Sequence, residues 1–481
     1  MNVVIIGYGM AGSRLAAELR DRAPHLKVTV LGAEPHRAYN RIMLSSVLAG
    51  KVRERDVEIT EAAGHGIDLR PGVTVSAIDR AARVVTTTAG DRIEYDHLVL
   101  ATGSRALIPP LSGLDRERLP ERVAVFRTLD DCRRILATAS GARTALVLGG
   151  GLLGLEAARG LAARGIATEV VHAVGHLMER QLDPGASAVL VRTLAGLGIA
   201  AHLDAMASSV AADADGVTLG LADGRELRAD LLVLACGVRP ETALASDAGL
   251  AVERGVVVDD HLRTSDRNIS AIGDCAQHEG VVSGLVAPAW EQARTVARVL
   301  GGEDPLARYR PLPVVTRLKA AGIDLAAMGT FAPAEDAEEL SFADPARGTY
   351  AKLTIIGERL TGAIMLGDNP AVGTVIQLFD RGTPVPADRR ALLLGRAIGV
   401  PAATQAESPA LMPDAATVCQ CNTVSKGALV RCWRAGARSV DDVVAATRAT
   451  TGCGTCRDAV EGIVDWLSTV DAPAAAAEVA A

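Results

Sequence analysis

The stretch that most constrains this chain is V-V-I-I-G-Y-G-M-A-G, Val3 to Gly12. A β-branched run ends in G-x-G-x-x-G, and Leu15, Ala16 and Leu19 then recur at helical spacing. After Pro24 comes a second run, Lys27 to Leu31, and then Glu34. Strand, glycine turn, helix, strand and acid in this order predict a dinucleotide-binding βαβ unit. Gly7 permits the tight turn, Gly9 lets backbone approach a pyrophosphate, and Gly12 lets the helix pack close to the strand. The helix N-terminus offers N–H groups and partial positive charge to phosphates. Glu34 is placed to accept hydrogen bonds from a ribose diol.

The pattern occurs twice. Ala145 to Leu148 leads into G-G-G-L-L-G, Gly149 to Gly154, and a strand over Thr168 to Val171 ends at His172. Gly149, Gly151, Gly154 and the nearby Glu156 are therefore expected to bind a second dinucleotide. His172 is taken as the counterpart of Glu34, followed by Ala173-Val174-Gly175-His176. An acid at this place favours NADH and an arginine favours NADPH. With no arginine in the immediate loop, the expectation tilts towards NADH.

At 481 residues the chain needs several cores. Three Trp, five Tyr and four Phe are too few for a base-stacking platform, and a net charge of −7 without a basic stripe gives no footprint for nucleic acid or an anionic membrane. The start M-N-V-V-I-I-G lacks a basic n-region, and no apolar run reaches a membrane-spanning length of about 18 residues. Eight cysteines are sparse for a disulfide scaffold, so a cytoplasmic setting with reduced thiols is expected.

Further strands enter A-T-G-S (Ala101 to Ser104), C-G-V-R-P (Cys236 to Pro240) and G-D-C-A (Gly273 to Ala276), and W-E-Q-A from Trp290 reads as a helix start. Together with the two glycine turns, these motifs resemble the pyridine nucleotide–disulfide oxidoreductases over roughly residues 1–310. The resemblance implies FAD in the first unit and NAD(P)H in the second. It adds Thr102, Gly103, Gly237, Gly273 and Asp274 to the cofactor-binding set, with Asp274 on the ribityl or phosphate part of FAD and the Trp290 helix start at the flavin's pyrimidine edge. Taken alone, Asp274 reads better as a turn residue after a strand. Y-N-R-I-M-L-S-S, Tyr39 to Ser46, resembles the segment of FAD-containing ferredoxin reductases and nitrite reductase large subunits whose arginine lies against FAD, a role this assigns to Arg41. The dithiol motifs of the disulfide-using members are missing: Cys132, Cys236 and Cys275 stand alone and read as small buried hydrophobes. Electrons leaving the flavin need another exit.

Residues 311–400 resemble the third domain of nitrite reductase large subunits, which in relatives packs against the flavin or a second subunit. Within them Lys352 to Ile356 and Leu360 to Leu366 predict a β-hairpin around Gly357-Glu358. Residues 401–416, with Pro401, Pro409 and Pro413, read as a linker, and 471–481 as a flexible tail. Between them stand C-Q-C-N-T-V-S-K-G from Cys419 and C-G-T-C from Cys453. Cys419, Cys421, Cys453 and Cys456 meet if the intervening residues fold back as helices over Ser425 to Arg434 and Val440 to Ala449, with Ser439 as N-cap and Gly436 as a stop. A further helix is expected over Arg457 to Leu467. Four thiolates suit zinc, an iron–sulfur cluster or two disulfides, although C-x-C is unusual for structural zinc. The segment resembles the bacterioferritin-associated ferredoxin-like domain, which implies a [2Fe–2S] cluster on those four cysteines. Cys432 is the spare, expected as a buried helix thiol.

The fold class expected is α/β. A NAD(P)H domain (113–244) is inserted in a FAD domain (1–112 and 245–310), followed by a small α+β domain (311–400) and a small helical [2Fe–2S] domain (417–470). A hydride donor delivers two electrons together, a [2Fe–2S] cluster accepts one at a time, and a flavin handles both. The order NAD(P)H, FAD, [2Fe–2S], external acceptor follows, with no catalytic acid or base expected. The domain order resembles the N-terminal part of NAD(P)H nitrite reductase large subunits and the electron-transfer subunits of assimilatory nitrate reductases. It implies a separate nitrate or nitrite reductase subunit as acceptor, because no sirohaem-type cysteine motif is present. An amine or opine dehydrogenase with a ferredoxin-like domain, and a non-enzymatic redox or iron adaptor, are the alternatives.

Overall fold

The computed structural model describes residues 1–59, 66–311, 313–318, 320, 322–330, 335–394, 409–419, 424–450 and 456–471. They form two compact units: one holds residues 1–368 and 376–384, the other 369–375 and the residues from 385 on.

Two parallel five-stranded sheets dominate the first unit. In the first, the order is β10 (Ile269–Ala271), β4 (His97–Leu100), β1 (Asn2–Ile6), β2 (Lys27–Gly32), β3 (Ile67–Pro71). Helix α1 (Met10–Arg22) makes the β1–β2 crossover. In the second sheet the order is β5 (Val123–Val125), β9 (Leu231–Leu234), β6 (Thr144–Leu148), β7 (Ala167–Val171), β8 (Ile199–His202), with α3 (Leu152–Ala162) between β6 and β7. β1, β4, β6 and β9 are buried almost throughout, which explains their unbroken apolar runs. Two crossover strands, Ser104–Ala106 and Val238–Pro240, pair antiparallel where the chain leaves and re-enters the first sheet's layer.

Helix α2 (Leu129–Ala139) starts at a capping box, in which Thr128 accepts from the Asp131 N–H and Asp131 accepts from the Thr128 N–H. Helix α4 (Pro184–Gly196) carries Pro184 in its first turn behind the N-cap Asp183. Helix α5 (Val286–Leu300) begins at Val286, before Pro288 rather than after it, because a proline in the first turn loses no helical hydrogen bond.

The third sheet is antiparallel: β11 (Val315–Arg317), β12 (Leu325–Gly329), β15 (Arg359–Leu366), β14 (Thr349–Ile356), β13 (Glu338–Asp344). The expected hairpin is β14–β15, turning through Gly357 at φ 53° and Glu358 at φ 65°, the left-handed pair that a two-residue hairpin requires. Leu318, Leu325, Ile364 and Leu366 share one apolar core with Val189, Leu190 and Leu194 of α4. The Tyr350 hydroxyl donates to Asp183 Oδ2 at 2.7 Å. This sheet therefore packs on the second sheet's helix layer. The apolar face of α4 decides this.

The longer helices of the second unit among the described residues are α6 (Lys426–Arg434), α7 (Val440–Thr447) and α8 (Arg457–Val470). Ser425 and Ser439 cap the first two through their side chains. Gly436 follows α6 at φ 124°. Residues 413–416 are not a bare linker. The Lys426 N–H donates to Ala416 O, the Gly427 N–H to Asp414 O, and the buried Lys426 Nζ to Met412 O at 2.7 Å. Residues 401–408 and 472–481, expected as linker and tail, lie outside the described residues. No helix among the described residues is long and apolar enough to cross a membrane.

Candidate functional site

The two glycine turns fit dinucleotides by shape. Gly7 has φ 115° and Gly149 φ 123°, and a Cβ on either would be driven into a carbonyl of the neighbouring strand's exit, Ala101 or Ala235. A Cβ at Gly12 or Gly154 would strike the carbonyl of Gly7 or Gly149, so only glycine lets each helix come this close to its turn. Gly9 and Gly151 instead face open space; the Arg41 side chain, at 3.9 Å, is all that approaches the former. Each turn thus keeps a backbone ledge clear at a helix N-terminus, the arrangement that a pyrophosphate requires.

Around the first turn, Glu34 Oε1 pairs with Arg41 and Glu34 Oε2 accepts from the Tyr39 hydroxyl at 2.6 Å. A carboxylate has about four acceptor positions, so Glu34, 30% exposed, keeps capacity for a ribose. Arg41, 23% exposed, lies over the Tyr39 ring and is no solvated surface arginine. Tyr39 also accepts from the Leu129 N–H at 3.0 Å, joining the acid to the start of α2; burial pushes its phenol well above the usual range.

Asp274 and Gly273 sit on the turn after β10. Asp274 Oδ2 accepts from Ser104 Oγ at 2.8 Å and from Arg127 Nη2 at 2.6 Å, with both charged side chains about four-fifths buried. The Gly273 N–H donates to the buried Gln292 Oε1 at 2.7 Å, and Trp290 Nε1 donates to Met10 O at 3.2 Å, so α5 is pinned to α1 beside this turn. Thr102 Oγ1 donates to Glu241 O at 2.7 Å, and the Glu241 N–H donates to Gly103 O. Gly103 and Gly237 flank the paired crossover strands, both at positive φ. Ser104, Tyr39 and Gln292 stand in motifs the sequence reading quoted but were given no role there, and Arg127 escaped it. Arg127 lies 147 positions from Asp274 and belongs to no motif.

The second βαβ unit carries one correction. Leu31 pairs with Ile6 and Val171 with Leu148, so counted from the glycine turns His172 occupies the place of Gly32. Glu34 corresponds instead to Val174, which is 41% exposed. Glu156 is buried in the second turn of α3.

The isolated thiols are inert. Burial pushes Cys132 up to about 12 and Cys236 up to about 11, and raises Cys275 as well, so none is a thiolate near neutral pH. Cys132 and Cys275 are buried, and Cys236 is half-buried. In the second unit Cys419 ends the strand Thr417–Cys419, and Cys456 holds the N-cap position of α8. Both are buried in one apolar cluster with Val424, Leu429 and Val460. A helix N-terminus beside a buried cysteine stabilises thiolate charge, which fits cluster ligands. Cys421 and Cys453 lie outside the described residues. Cys432 is half-buried on α6 rather than buried, because its side of the helix only borders that core.

Residues 1–295 match the family described as pyridine nucleotide-disulphide oxidoreductase, residues 314–382 the rubredoxin NAD+ reductase C-terminal domain, and residues 417–466 the BFD-like [2Fe-2S] binding domain. The chain is 35% identical to a nitrite reductase [NAD(P)H] of Bacillus subtilis (strain 168) over 98% of its own length and 58% of that protein. It is also 35% identical to the assimilatory nitrate reductase electron transfer subunit of the same organism, over 97% of this chain and 60% of the relative. It thus spans about three fifths of the length of these relatives. A crystal structure of the covalent putidaredoxin reductase–putidaredoxin complex superposes with a TM-score of 0.73 at 26% identity, covering 83% of this chain and 98% of that one. FAD, NAD(P)H and a [2Fe–2S] cluster are the cofactors that these domains imply, and the glycine turns and the buried cysteines fit them. The chain belongs to the pyridine nucleotide-disulphide oxidoreductase family and carries a BFD-like [2Fe–2S] domain behind it.

Proposed function

We propose that the chain is a reductase that passes electrons from NAD(P)H through FAD to the [2Fe–2S] cluster and on to a separate redox protein, a nitrate or nitrite reductase catalytic subunit of nitrogen assimilation in the cytoplasm. One observation carries the reading. Two nucleotide-shaped sheets share a chain with a cysteine-bearing helical unit, while the thiols of the nucleotide part are protonated and isolated. The cluster domain is then the exit for electrons. Names of relatives such as the assimilatory nitrate reductase electron transfer subunit support the acceptor class.

In this reading residues 1–112 and 245–310 bind FAD. Gly7, Gly9 and Gly12 hold its pyrophosphate, Glu34 the adenosine ribose, and Arg41 the charge above the turn. Asp274, held by Arg127 and Ser104, orients the ribityl side, with Thr102, Gly103 and Gly273 shaping the backbone around it. Residues 113–244 bind NAD(P)H through Gly149, Gly151 and Gly154, with Glu156 and Gly237 at the edge of the site. Cys419, Cys421, Cys453 and Cys456 hold the cluster. FAD supplies the conversion between two-electron and one-electron transfer when bound; the side chains bind, orient and neutralise charge.

Anaerobic titration with NADH, followed by absorption and paramagnetic resonance, tests the order of transfer: flavin bands bleach first and the cluster signal follows. Cys453→Ser should leave flavin reduction intact and abolish transfer to an acceptor that depends on the cluster. Unchanged transfer in that variant, or stoichiometric zinc without iron, sinks the proposal.

A further inference from the structure

His172 rebuilds the rim of the second nucleotide site. It is buried, 8% exposed, and its Nδ1 accepts from the Gly150 N–H at 3.1 Å, which leaves the proton of the neutral ring on Nε2. The Met178 N–H donates to Gly150 O at 3.0 Å, so both backbone groups of Gly150 are held by residues that follow β7. A side chain at Gly150 would strike Leu177 and His172, which accounts for the second glycine of G-G-G-L-L-G. Met178 lies at φ 53°, a left-handed conformation rare for a side chain of this kind, and the Leu177 N–H is anchored on Ser187 Oγ at 2.7 Å. This reversal brings Glu179 back, with Oε2 3.3 Å from His172 Nε2. The contact is electrostatic only: Nε2 is buried and has no hydrogen-bond partner. Glu179 itself is 42% exposed. Asp204 lies against Gly175 in the same loop, and Arg180 is exposed next to Glu179.

We propose that Glu179, set against His172, is the specificity-determining carboxylate of this site and selects NADH over NADPH. The proposal rests on the second unit being the NAD(P)H site. In such a unit the strand end faces the adenosine ribose. The position matching Glu34 holds Val174, which offers no acceptor, so the carboxylate arrives from five residues further on. The exposed Glu179 carboxylate can accept from a ribose hydroxyl, which donates. A 2′-phosphate only accepts, and it places like charge beside Glu179.

The test compares NADH with NADPH on the holoprotein, using ferricyanide as acceptor, alongside calorimetric binding of ADP-ribose and 2′-phospho-ADP-ribose. The unaltered protein is expected to favour NADH in kcat/KM and ADP-ribose in affinity. Glu179→Gln should shrink both preferences by about tenfold, chiefly through KM for NADPH. Arg180→Ala should keep the original ratios. A Glu179→Gln ratio within about twofold of the original overturns the assignment. So does a starting preference for NADPH that Arg180→Ala removes. Equal use of both nucleotides overturns this proposal alone, whereas flavin reduction by neither overturns the reading of the second unit as well.

Discussion

The two βαβ units share a register and differ in which partner supplies bulk. Val3 pairs with Val28 and His97, and the equivalent Ala145 pairs with Thr168 and Leu231. In the first unit the turn residue is Tyr8 and the strand ends in Gly32, whose Cβ would strike Tyr8. In the second βαβ unit the turn residue is Gly150 and the residue after the strand is His172, whose ring fills the corresponding space. One large side chain and one glycine occupy the same contact with their origins exchanged. One packing problem thus has two solutions, a tyrosine from the turn in the first unit and a histidine from beyond the strand in the second. The outer strand differs too. β10 comes from downstream of the first unit and β5 from upstream of the second, and all strands of the second sheet lie between β4 and β10 in the chain.

The comparison breaks most severely at the helix–turn contacts. Gly12→Val should yield protein without FAD, whereas Gly154→Val should yield yellow protein that NADH does not reduce. Flavin content and NADH titration separate the two outcomes, and retention of FAD by Gly12→Val counts against the assignment of the first turn. Next in size is the exchanged contact. Gly150→Tyr alone forces a ring into filled space and should cost about 3 kcal/mol. Adding His172→Gly, which copies the first unit, should restore most of the loss in a urea melt. Additive losses would show that the two positions do not share one space.

The smallest test concerns acid. Burial pulls His97 down to about 4, and its Nε2 faces Ser270 Oγ at 3.0 Å; the equivalent Leu231 does not titrate. An unfolded histidine titrates near 6.5. Between those values the unfolded chain holds a proton that the folded chain lacks, so stability falls as pH drops, by about 1.4 kcal/mol per unit. FAD release on heating should therefore come earlier as pH falls from 6.5 towards 4, and His97→Leu should flatten that slope. An unchanged slope would place the acid sensitivity elsewhere.

Local chemistry was legible. The glycine turns, the β14–β15 hairpin and the cap at Ser439 depend on neighbours within a few residues, and each formed where the sequence predicts it, while Ser425, expected as the first helical residue, is itself the cap. The start of α5 shifted because Pro288 is compatible with a first turn as well as with a preceding loop. The counterpart of Glu34 was misplaced because counting along the chain does not show where strand pairing ends.

By itself the sequence determined the two nucleotide units, their order, the lack of a dithiol in the nucleotide part, and a cysteine-bearing helical segment. These are written in backbone requirements: glycine where a Cβ has no room, serine where a helix starts, alternation where a sheet has two faces. Tertiary structure alone decided that Arg127 and Ser104 hold Asp274, that the third sheet packs on α4, and that Glu179 returns to His172. Those contacts join residues with no local reason to meet. Asp274 takes its partners because a largely buried carboxylate needs them, the third sheet meets α4 through apolar side chains, and both arrangements exist only once the chain has folded.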